Sequence, residues 1–477
     1  MIHKSTSLSG GNTSAKAWII LLLSLLIPFT LIFTYVWSTA TDIVFSDDIF
    51  LIKGGFIESY LKGSLSFEEL WHPLNFGRTL GYNLLQLVNI KFFAMNSRIL
   101  VLLVPFFMLA SAILIYRNYK KSLEPENSPE FIAATFFIIA LIIFNVIQWE
   151  GLIVGRVLEF QPALPFFIAS FISLESFLFK GKREYLPVAF IFTSLAMLVF
   201  NGRLNLSFIP TLGIIYLCYL MINRADLTKD FWLRTLMISL FLTFLTFLYL
   251  FKLNANESSA YNAAANIFSR PLEALQFFFA ALGSSIVGID VFYTFSYISF
   301  NHIVVLGAVT ALLYALALTL FFRSHMYERT YLPFFLILQT LFFLGFVMMG
   351  RFEFGKDYGM NSRYTCVSVY GLVALVWIFI FTLFNYEKQK ALLKGVIFMG
   401  FFIIISGLLI TSIIEWRIQP ERKVFFAQLR DIAMRVDTAT DEELLKIGDE
   451  PERVRDALRI LREHQLNVYR HSSENSQ

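Results

Sequence analysis

Charge and cysteine are both scarce in this chain. Only 16% of its 477 residues are Asp, Glu, Lys or Arg, where a soluble domain keeps about a quarter. The two cysteines, Cys218 and Cys366, lie far apart and within or beside apolar segments. A disulfide framework or a zinc site needs more ligands at closer spacing, so both read as small core residues. The six histidines are scattered, with no HExxH pair and no His-rich tract, which leaves a metalloprotease unsupported. The formal net charge is only +4, and the basic residues sit in short loops beside apolar runs, so nucleic acid is not the implied partner. There is also no internal repeat.

What the chain has in excess is hydrocarbon. It is 57% hydrophobic with 54 phenylalanines, and its mean hydropathy is +0.64. The apolar residues come in blocks of about twenty, the length that crosses a hydrocarbon core of about 30 Å. The composition predicts an all-α, polytopic membrane protein. About eleven spans fall near 17–40, 99–116, 131–148, 163–179, 186–200, 206–223, 231–252, 302–322, 331–349, 364–384 and 394–414. The first run is longer than a signal-peptide core; Ser38 and Ala40 faintly mimic a cleavage site, but an uncleaved anchor is the expectation.

Lys and Arg orient the chain, because cytoplasmic loops retain positive charge. With the N-terminus inside, the inner loops read "RNYKK", "KGKREY", "NRADLTKD", "RSHMYERTY" and "NYEKQKALLK". The late loops stay basic only if the ambiguous 271–300 stretch makes no net crossing; it could be an extra span, a re-entrant pair or interfacial helices. An integral plasma-membrane protein follows, N-terminus cytoplasmic and C-terminus extracytoplasmic. Residues 1–417 form the transmembrane domain, with a long outer loop at 41–98, and 418–477 a small extracytoplasmic helical tail. Within the tail, Thr440 and Glu443 make a capping-box pattern and Pro451 sits in a first helical turn. Val454, Leu458 and Leu461 then share one apolar face.

Polar residues gather where the spans reach the outer side. "TDIVFSDDIFLIKGG" places Asp42, Asp47 and Asp48 just beyond the first span. They suit a wet loop or a helix N-cap, and equally a working carboxylate. Adjacent residues on a helix diverge by about 100°, so Asp47 and Asp48 cannot both point inward equally. Such a pair also suits Mg²⁺ or Mn²⁺, but no third ligand is evident and a general base ranks above a metal. Arg156, Arg203, Arg351 and Arg363 sit against the usual charge bias. Either they converge on an anion such as phosphate, or each pairs with a nearby acid, Arg156 with Glu159 and Arg351 with Glu353. After the aspartates, some forty residues alternate apolar and polar at helical spacing, rich in Trp, Phe and Tyr, as helices lying in a membrane interface do.

On these residues the chain resembles the C-type glycosyltransferase superfamily, and within it a bacterial membrane-protein group. The likeness rests on "FSDDIF" followed by "GFIESYLKGSLSFEELWHPLNFGRTLGYN", on the turn "GRFEFGKDYGMNSRYT", and on the closing "PERVRDALRILREHQLNVY". The resemblance implies an inverting transfer of a sugar from a polyprenyl-phosphate donor to a glycan, lipid or protein acceptor. Asp47 or Asp48 would be the base. Arg156, Arg203, Arg351, Lys356, Arg363 and Tyr364 would hold the donor phosphate, with Glu159, His72 and Arg78 at the substrates. A polysaccharide polymerase or ligase is the nearer alternative, though early aspartates are not its expected device. A secondary transporter would show inverted repeats and midplane polar groups, and neither is evident.

Overall fold

A computed structural model describes residues 15–72, 79–155, 160–200, 204–224, 228–251, 265–385 and 391–470, the side chains of 204 and 205 excepted. Among them every regular element is helical. Nine helices among the described residues are long and apolar enough to cross a membrane, from Ala15–Thr39 through Ala391–Met434. The chain is an all-α, multi-pass membrane protein. Of two further expected spans, one is irregular. The 186–200 block folds as helix Leu186–Ser194 running into a π-turn at Leu195–Val199, and the 206–223 block as helix Leu204–Ile222.

Hydrocarbon does not drive helices together, so close packing must. Helix Ser362–Asn385 is the axis, buried along nearly its whole length, and its Trp377 indole donates to Ser122 Oγ at 2.9 Å. The outer helices leave residues such as Trp18, Leu22, Leu240 and Phe244 exposed toward lipid. Helices Pro271–Gly283 and Phe300–Arg323 meet backbone to backbone. A Cβ on Gly307 would lie 1.7 Å from the Phe279 carbonyl oxygen, and one on Gly283 2.2 Å from that of Ile303.

The loops sort to two ends. At one, Arg329 pairs with Glu126 at 2.6 Å, Lys180 with Glu175 at 2.8 Å and Arg183 with Asp230 at 2.6 Å, while Asn127 donates to Asn385 at 2.9 Å. Helix Lys229–Leu250 starts there and helix Phe300–Arg323 ends there. Both flanks of 271–300 therefore lie at the other end, and the segment makes no net crossing. Its helices, Pro271–Gly283 and Ile289–Thr294, are too short to span.

At that second end the described part of the first loop is helical, as its pattern suggests, but broken. It forms four pieces, Asp48–Ile52, Phe56–Leu61, Phe67–Trp71 and Leu80–Phe93. Gly54 and Gly63 break the run at φ of 76° and 70°, a region glycine enters without steric cost. A Ser66–Glu69 capping box starts the third piece. Nor is there a break at 418: helix Ala391–Met434 continues through Pro420 for 44 residues, about 66 Å and twice what the bilayer needs. Beyond it the Thr440–Glu443 capping box forms, and Val454, Leu458 and Leu461 are buried.

Candidate active site

Asp47 and Asp48 part company at the start of helix Asp48–Ile52. Asp48 turns inward and is only 3% exposed. Its Oδ1 accepts a hydrogen bond from the Tyr82 hydroxyl at 2.6 Å, and that hydroxyl accepts one from Gln86 Nε2 at 2.6 Å. A Cβ on Gly155 would stand 3.1 Å from Asp48 Oδ2, so any larger residue there would press on the carboxylate. Asp47 occupies the N-cap position without making a side-chain cap bond. It faces instead a cavity of about 480 Å³.

Residues from five distant stretches build that cavity. Phe45, Phe425, Phe426 and Trp149 supply aromatic wall; Glu150, Asp290, Arg363, Glu421 and Arg422 supply polar groups. Glu150 caps the axial helix: its Oε2 accepts from Ser362 Oγ at 3.1 Å and from the Arg363 backbone N–H at 2.9 Å. A carboxylate at a helix N-terminus is favoured by the helix dipole. The Arg363 guanidinium lies 3.3 Å from Glu150 Oε1, and its buried Nε–H has no hydrogen-bond partner among the described residues.

Arg422 forms the deeper part of the floor. Its Nη1 donates to the Tyr35 hydroxyl at 2.7 Å and to Glu415, which is 0% exposed, and its Nη2 lies 2.8 Å from Asp290 Oδ2. The guanidinium stacks 3.8 Å from the Trp149 ring centroid, and the Trp149 indole N–H reaches the same Asp290 oxygen at 2.7 Å. A buried charge left unpaired would be severely destabilising. This network meets that requirement and binds four segments together.

Sequence reasoning missed Asp290, Glu415, Arg422 and the Trp149 stack. A signal existed: Glu415 closes an apolar run, and Arg422 follows seven residues later on the same helical face. Other expected site residues do not join Asp47. Arg351 packs over the Phe354 ring at 5.5 Å and exposed Lys356 over Phe300 at 5.2 Å. Tyr364 is buried against Phe343 and Tyr358. None of the three lines the cavity, because the 352–360 turn packs on helix Pro271–Gly283 instead. His72 borders a separate hollow of about 240 Å³ with Lys53, Glu69 and Arg453. There the Ser59 hydroxyl, and then Ser66, hold the Glu69 carboxyl below its ordinary range. Arg78, Arg156, Glu159 and Arg203 lie outside the described residues. Among the described residues no three His, Cys, Asp or Glu side chains gather as metal ligands.

No protein-family model matches the chain, and no curated protein matches it in sequence.

Proposed function

We propose that the chain is a membrane glycosyltransferase working at the extracytoplasmic face of the plasma membrane, with Asp47 as its general base. The observation that carries this reading is the cavity shared by Asp47 and Arg363, whose wall holds four aromatic and six charged side chains. Its volume suits a small ligand, and its mix of aromatic faces and carboxylates suits a sugar. An acceptor hydroxyl attacks the anomeric carbon of a polyprenyl-phosphate-linked sugar. The new bond forms between that oxygen and the anomeric carbon, and the bond from the anomeric carbon to the phosphate oxygen breaks on the opposite side. The electron pair leaves with the lipid phosphate and the proton passes to Asp47.

Arg363 is the cavity's candidate phosphate holder, because its Nε–H has no partner among the described residues and a guanidinium matches phosphate oxygens. Asp48 serves by holding the turn through Tyr82 and Gln86. The exposed Leu84, Val88 and Phe92 on helix Leu80–Phe93 suit an element resting in the lipid interface beside the donor. A cavity at the end of the spans rather than at mid-membrane weighs against a transporter.

The test is direct. Purified chain in lipid vesicles, given polyprenyl-phosphate-linked sugars and an envelope acceptor fraction, should yield a product of inverted anomeric configuration by mass spectrometry and NMR. Failure with every donor sugar would overturn the reading.

A further inference from the structure

The turn that presents Asp47 is held from the far end of the chain. Three non-glycine residues of the first loop adopt left-handed backbone: Ser46 (φ 57°), Ala94 (φ 50°) and Met95 (φ 57°). Such conformations persist only where the surroundings over-determine them. Here each shares a hydrogen bond with the C-terminal tail. The Ser46 N–H donates to the Ile447 carbonyl at 2.7 Å. The Ala94 carbonyl accepts from the Asn467 backbone N–H at 2.8 Å, and the Met95 carbonyl accepts from Asn467 Nδ2 at 2.8 Å.

Asn467 is itself left-handed (φ 54°) and 0% exposed. Its Nδ2 also lies 2.9 Å from Asp42 Oδ1 and 3.1 Å from Ser97 Oγ. Its Oδ1 accepts from the Val44 N–H at 3.2 Å. Arg470 pairs with Asp42 at 2.9 Å. One side chain thus ties the entry of the first loop, at 42–44, to its exit, at 95–97.

We propose that Asn467 is a positioning residue: it clamps the tail across both ends of the first loop and so sets the turn that aims Asp47 into the cavity. The catalytic purpose rests on the transferase reading, while the clamp stands on geometry alone. These contacts join residues at least 370 positions apart, so the turn acquires its shape only once the whole chain is in place.

The experiment compares the full chain in nanodiscs with Asn467→Ala and Asn467→Gly. The glycine variant tolerates the left-handed backbone and keeps the N–H bond to Ala94, deleting only the side chain, and it serves if Asn467→Ala folds poorly. Amide exchange across 43–48 and 94–97 should rise about tenfold or more in both variants while helix Ser362–Asn385 is unchanged. Turnover per folded molecule should fall on the order of 10²-fold with donor KM within about twofold. Unchanged exchange in the two variants overturns the clamp whatever the activity does. Faster exchange with unchanged kcat overturns the positioning role. If the parent chain transfers no sugar, the transferase reading falls and exchange alone decides the clamp.

Discussion

Asp47 and Asp48 are neighbours in different surroundings. One is sealed behind Tyr82 and Gly155, the other opens on the cavity. Their divergence follows from helical geometry and was legible in the sequence; which of them turns inward was not, because Tyr82 and Gly155 reach Asp48 only through the fold. Arg363 is the residue whose role is most open to measurement. Losing a charged hydrogen bond costs about 1.5–3 kcal/mol, so Arg363→Ala should weaken polyprenyl-phosphate binding about tenfold or more. Glu150→Gln, which releases the guanidinium from its acid, should not weaken it. Equal affinity in Arg363→Ala and the parent would make the arginine a mere partner of Glu150. Arg351 and Lys356 stood on equal terms with Arg363 in the sequence, since nothing local tells a charge at a rim from a charge in a cleft.

At the scale of elements, apolar block length and basic loops were enough to lay out the bundle. They did not foretell the breaks in the first loop, where a single glycine at positive φ ends a helix that periodicity would continue. Nor did they reveal that helix Ala391–Met434 runs past the membrane into the tail, since Pro420 reads as a stop and the helix accommodates it. Close helix approach was equally hidden, because Gly283 and Gly307 are ordinary until their partners are known. Gly307→Ala puts a methyl into the Phe279 carbonyl and forces the pair apart. A loss of about 1–3 kcal/mol is expected, read as a lower melting temperature in detergent. Gly213→Ala is the control, since nothing lies within 4 Å of its added Cβ. Equal melting of the two variants would remove this contact from the account.

Over the whole molecule, acids and bases from opposite regions of the sequence meet at one end, while short basic loops tie the other together. If the Asp47 end faces outward, an impermeant thiol reagent should label Phe45→Cys and Asp357→Cys on intact cells, in a chain whose two cysteines are replaced by serine. Lys182→Cys should label only after the cells are opened. The reverse pattern would invert the topology. If the Asp47 cavity is a transferase site, as we propose, Asp47→Asn decides it, assayed beside the parent for sugar transfer in vesicles and for folded abundance. Removing a general base should lower turnover by about 10²–10⁴-fold at unchanged abundance; full turnover in Asp47→Asn would contradict the claim.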